Sequence, residues 1–176
     1  MQPLGEQLIN YFEPQAATLK MSGFWTVDHI DLLNCCQELV KFFDHWGWRV
    51  VSAYVYTIDS TTGAGPIHTD STGGTKGHYS ARINFPLWGC DQGETLWYTV
   101  DPMSWQGAMG GSRSGVDMSY RLSNDARAQE IARLVLKQPT IIRIDQAHQV
   151  RLLASNQVRS SLTVKVTPDP VMMICG

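Results

Sequence analysis

Val158-Arg159-Ser160-Ser161-Leu162-Thr163-Val164-Lys165-Val166 decides the fold. Successive side chains of a β-strand point to opposite faces. Arg159, Ser161, Thr163 and Lys165 therefore share one face, and Leu162, Val164 and Val166 share the other. The aliphatic face asks for a core. The polar face either meets solvent, as it does in many antiparallel sheets, or lines an interior that has a use for an arginine.

The same division recurs upstream. Between Tyr79 and Leu87, Ile83, Phe85 and Leu87 alternate with Arg82, Asn84 and Pro86. If that polar face turns inward, Arg82 and Asn84 reach whatever is bound there; if outward, they are solvated. Arg49 to Ile58 is rich in Val and Tyr with no breaker, and reads as a strand. Glu94–Val100, Thr140–Ile144 and Val150–Leu153 read as further strands. Asn124 to Lys137 fits either a helix or a strand. Asp101 to Arg121, rich in Gly, Ser and Met without a clear period, reads as a long functional loop, a lid or an irregular surface excursion.

Helical signals come first in the chain. Glu6–Phe12 has helical character that ends near Pro14, and Asp28 to Asp44 has apolar residues at three- and four-residue intervals. Asp28 and Asp31 suit the first turn of that helix, and Gly47 stops it. Helices followed by many short strands predict a mainly β chain with N-terminal helices, an all-β sandwich or barrel with the helices packed outside. A double-stranded β-helix, the jelly-roll or cupin-like barrel, is the form expected because it would bring an early and a late strand together around a metal. The expected layout is a single domain over 1–176, with a helical part at about 1–47 and a barrel at about 48–167.

Composition narrows the function classes. The hydrophobic fraction is 43%, with six Trp and six Tyr, which excludes a disordered chain. A net charge of −2 with scattered basic residues argues against nucleic acid as a partner. No apolar run is long enough for a membrane span, and the N-terminus lacks a basic region with an apolar core, so a cytoplasmic protein is expected. The four cysteines form no Cys-x-x-Cys pair, leaving inert thiols as the reading. Trp88, Trp97 and Trp105 are candidates for a pocket wall or for core.

Gly65-Pro66-Ile67-His68-Thr69-Asp70 carries the chemistry. His68 and Asp70 are two apart, so on a strand both project to one side. Two imidazoles and a carboxylate on one side of an ion make the facial triad of non-haem Fe(II) oxygenases, which leaves the opposite positions open. His148 is the candidate for the second imidazole. It lies eleven residues before Arg159, enough for a hairpin that returns the second strand beside the first. Arg159 and Ser161 then offer a guanidinium fork and a hydroxyl on one face to a carboxylate. His29 and His45 bracket the helical segment and read as surface or capping residues, whereas His78 sits in a glycine-rich loop near the proposed metal strand.

These residues resemble a known family. His68-Thr69-Asp70, then His148, then Arg159-Ser160-Ser161 match the His-x-Asp…His…Arg-x-Ser pattern of the 2-oxoglutarate- and Fe(II)-dependent dioxygenases. The runs ARINFPL (81–87), PTIIRIDQAHQV (139–150) and VRSSLTV (158–164) are similar to small double-stranded β-helix proteins of the aspartyl/asparaginyl-hydroxylase-like or prolyl-hydroxylase-like kind. The resemblance spans roughly Val50 to Val166, and the carboxylate at Asp70 points to the general superfamily rather than to the aspartyl branch. It implies His68, Asp70 and His148 as catalytic iron ligands and Arg159, assisted by Ser161, on the distal carboxylate of 2-oxoglutarate as cosubstrate. The implied reaction hydroxylates a C–H bond of a small-molecule or peptide substrate while 2-oxoglutarate becomes succinate. Two other readings share the fold: a non-catalytic ligand-binding relic, and a cupin-type metalloenzyme that does not use 2-oxoglutarate.

Overall fold

The computed structural model describes residues 2–61, 65–70, 79–101, 105–109, 119–122 and 127–175. The chain opens with α1 (Leu4–Phe12), a 3-10 turn and α2 (Ala16–Leu19), then β1 (Gly23–Val27), α3 (His29–Cys35) and α4 (Gln37–His45). Strands β2 (Arg49–Asp59), β3 (His68–Thr69), β4 (Ala81–Trp88) and β5 (Gly93–Val100) follow. After them come β6 (Trp105–Met109), β7 (Ser119–Leu122), β8 (Ala128–Leu134), β9 (Thr140–Arg143), β10 (His148–Leu152) and β11 (Val158–Thr167), with α5 (Pro170–Cys175) at the end.

The strands form two antiparallel sheets, ordered β1-β2-β11-β4-β9 and β6-β7-β3-β10-β5-β8. The fold is thus mainly β with N-terminal helices, as expected, but no closed barrel is found among the described residues. The expected hairpin between His148 and Arg159 is also absent: β10 and β11 belong to different sheets, and the chain crosses between layers at residues 153–157. A period-two pattern fixes faces but not pairing partners, which is why the reading failed there.

The helices cover the outer face of the first sheet. Leu8, Phe12, Leu32, Leu39 and Phe43 pack with Ala53, Val55, Ile83, Phe85, Leu162, Val164 and Val166 in one cluster. Phe42 and Phe43 set their rings edge-on to Phe85, at centroid distances of 5.5 and 6.0 Å. Each such side chain contributes about 1.5–3 kcal/mol by leaving water. This is the core that the aliphatic half of β11 demanded.

Other expectations need correction. The segment Asp28–Asp44 is two helices, broken at Cys36, whose φ of −116° and ψ of 79° leave the helical region while its side chain is buried. Asp28 caps α3 by accepting from the backbone N–H groups of Ile30 and Asp31. Gly47 does end α4: at φ +64° it donates to the Asp44 carbonyl, and Trp48 donates to Phe43. The helical region also contains β1, which pairs along the edge of β2. The segment 101–121 contributes strands β6 and β7 rather than only a loop, and β7 pairs with β3. Within 124–137, Ala128–Leu134 is a strand, β8, rather than a helix. His78 and the centre of the supposed lid lie outside the described residues.

Candidate metal centre

The inner faces of the two sheets meet at a small cavity of about 40 Å³. The first sheet contributes Tyr54, Tyr56, Arg82, Asn84, Ile142 and Thr163 to its wall, and the second contributes His68, Asp70, Thr95, His148 and Val150. Register explains the gathering. Thr163 of β11 lies between Tyr54 of β2 and Asn84 of β4, so all three side chains leave the sheet on one side. The polar face of Val158–Val166 therefore points inward, as does that of Tyr79–Leu87.

His68 and His148 are cross-strand partners in β3 and β10, which sets their rings at a centroid distance of 4.6 Å. The short strand is held on both sides. The Gln149 side chain donates to the Gly65 carbonyl, and the backbone N–H of Asp70 donates to the Ile144 carbonyl at 2.9 Å.

Both imidazoles are oriented by the same local device. Nδ1 of His68 lies 2.8 Å from the Pro66 carbonyl, and Nδ1 of His148 lies 2.9 Å from the Gln146 carbonyl, in each case two residues upstream. A carbonyl can only accept, so each Nδ1 carries the proton and each Nε2 keeps its lone pair. Those two Nε2 atoms stand 3.1 and 3.7 Å from Oδ1 of Asp70. Ligand atoms about 2.0–2.2 Å from one ion and at right angles to each other are separated by about 3 Å. His68, Asp70 and His148 form a group that can hold a metal ion, with all three ligand atoms within 4.8 Å of one another.

The electrostatics favour ligands ready for a cation. Burial pushes the Asp70 carboxyl up, but the neighbouring His68, His148 and Lys165 side chains outweigh it and hold the group below the ordinary carboxylate range. Burial pushes His148 below the ordinary imidazole value, against the pull of Asp70. At neutral pH the pair is thus carboxylate and neutral imidazole, the forms a metal needs.

Arg159 and Ser161 stand farther along the inward face of β11 and do not line the cavity floor itself. Arg159 is 1% exposed, yet its Nε and Nη1 have no hydrogen-bond partner among the described residues; the buried Ser161 hydroxyl has none there either. Burial lowers the affinity of Arg159 for its proton, and the groups opposing that effect are Cys90 and Tyr56, not a carboxylate. Its side chain reaches across to the second sheet, where a Cβ on Gly93 would stand 2.6 Å from Cδ of Arg159. Only glycine leaves that passage open.

Arg82 and Asn84 line the cavity as the inward reading of β4 requires, with Arg82 Nη1 3.5 Å from Oδ2 of Asp70. His29 and His45 stand on the helical layer, away from this wall. Trp88 and Trp97 are half-buried and line no part of it. Sequence reading missed Tyr54 and Tyr56; their parity was legible, but their register against Thr163 and Ser161 was not. A scan of protein-family models finds none that matches the chain, and a comparison with curated proteins finds no match either.

Proposed function

We propose that the protein is a non-haem Fe(II)- and 2-oxoglutarate-dependent oxygenase on a double-stranded β-helix scaffold, hydroxylating a small-molecule or peptide substrate. His68 and His148 through Nε2, and Asp70 through a carboxylate oxygen, would hold the iron. Iron supplies the oxygen chemistry that hydroxylates a C–H bond as 2-oxoglutarate and O₂ become succinate and CO₂. The chain's own part is to bind, orient and exclude water.

The observation that carries this reading beyond a bare metal site is Arg159. A guanidinium buried without a counter-ion is unfavourable by several kcal/mol. Its place beside a Ser161 hydroxyl that likewise has no partner among the described residues, on the strand face that lines the metal cavity, supports a bound dicarboxylate as that partner. A planar fork matches a carboxylate with two parallel hydrogen bonds. A cupin-type enzyme has no need of such a residue.

The test is an anaerobic titration with Fe(II) and then 2-oxoglutarate. Saturable iron binding is expected first, and 2-oxoglutarate binding that is stronger with iron than without it. Iron binding with no response to 2-oxoglutarate would favour the cupin-type alternative.

A further inference from the structure

Asp70 presents its two oxygens to different neighbours. Oδ1 faces both imidazole Nε2 atoms, at 3.1 and 3.7 Å, whereas Oδ2 faces Nη1 of Arg82 at 3.5 Å. The torsion that exchanges the two oxygens is soft, because the terminal sp³–sp² bond of an aspartate has broad minima. An aspartate left to itself can turn and grip an ion with both oxygens, as carboxylates do at many oxygen-ligand sites. Something must hold it if only one oxygen is to be used.

Arg82 is placed to do so. It is 4% exposed and sits within β4, where it is paired with Ile142 of β9. Its guanidinium lies over the Tyr54 ring at 4.8 Å, which fixes the plane from which it meets Asp70. We propose that Arg82 is a positioning residue that holds Oδ2 and so confines Asp70 to one-oxygen coordination, keeping an adjacent metal position open for cosubstrate. The proposal rests on the metal-centre reading above. It assigns Arg82 to the carboxylate ligand, in place of direct contact with the cosubstrate.

Two effects oppose each other here. The guanidinium repels a cation, but it also orients the ligand that binds the cation. Oδ2 faces the guanidinium at 3.5 Å, and removing an oriented outer partner of a metal ligand typically lowers metal affinity about 10- to 100-fold. Orientation therefore wins.

The experiment uses Co(II) alone, followed by its visible absorption. Arg82→Gln is expected to lower Co(II) affinity about 10- to 100-fold and to alter the absorption bands as Asp70 turns. Arg82→Lys, which keeps the charge, is expected to lose less and to keep bands close to those of the wild type. Both losses disappear when measured in an Asp70→Ala background, because the orienting effect of the arginine requires Asp70. Thermal melts establish that each variant is folded; should Arg82→Gln not fold, the cycle between Arg82→Lys and Asp70→Ala still decides. Unchanged or tighter Co(II) binding by Arg82→Gln, or the same fold-loss in the Asp70→Ala background, overturns the positioning role alone. Failure of the wild type to bind Co(II) overturns the metal centre and this proposal with it.

Discussion

Replacing Arg159 by Met should stabilise the ligand-free protein while removing its response to 2-oxoglutarate. The buried guanidinium leaves Nε and Nη1 without partners among the described residues, and each unsatisfied buried donor costs about 1–3 kcal/mol. Methionine keeps an unbranched stem beside Gly93, so most of the packing survives, at about 0.8 kcal/mol for each buried methylene lost. The balance is a gain of about 2 kcal/mol, in line with the stabilisation of about 1–4 kcal/mol seen when buried ions give way to apolar residues. For a chain of this length that raises the melting temperature by roughly 4–8 °C. Loss of the paired charge should weaken 2-oxoglutarate binding by about 2–5 kcal/mol, roughly 30- to several-thousand-fold. Thermal melts with and without 2-oxoglutarate, alongside calorimetric titration of the metal-loaded protein, measure both effects. A variant that is less stable than the wild type and binds 2-oxoglutarate equally well would refute the reasoning.

Three further outcomes follow from the geometry. Asp70→Ala should lower Fe(II) affinity without unfolding the protein, with Asp70→Asn in between because it keeps an oxygen but not the charge; metal titration and a melt for each variant check this. Gly93→Ala should displace Arg159, since the added Cβ stands 2.6 Å from its Cδ and 3.1 Å from the Arg151 carbonyl. The result is a destabilisation of about 1–3 kcal/mol and weaker 2-oxoglutarate binding with metal affinity unchanged, read by melt and calorimetry. Acid should destabilise the metal-free protein in two stages. His148 is depressed in the fold, so its contribution is complete above the unfolded value of about 6.5 and falls away as pH drops below it. Asp70 is likewise depressed, so its contribution is present above the ordinary carboxylate value of about 3.9 and is lost below it. Melts across this range should lose the first stage in His148→Gln and the second in Asp70→Asn.

What could be read from the sequence was whatever depends on parity. His68 with Asp70, Arg159 with Ser161 and Thr163, and Arg82 with Asn84 each share a face because the period of a strand is two, and the structure turns all of these toward the interior. Pairing partners lie beyond parity. Nothing in β10 announces that its neighbours are β3 and β5 rather than β11, and the hairpin reading fell for that reason. Tyr54 and Tyr56 enter the cavity only through the register of β2 against β11. The helix break at Cys36 was hidden because the apolar period runs through it, and tertiary packing of the buried Cys36 overrides local propensity there. The orienting carbonyls of Pro66 and Gln146 depend on backbone geometry that no side-chain pattern encodes.

The most direct test of the oxygenase reading is succinate release. Protein loaded with Fe(II) and supplied with 2-oxoglutarate and O₂ should form succinate, slowly and uncoupled without substrate and faster with it. That release should be lost in Asp70→Ala and strongly reduced in Arg159→Met. Wild-type protein that binds both Fe(II) and 2-oxoglutarate yet forms no succinate under any of these conditions would contradict an oxygenase and leave a ligand-binding relic.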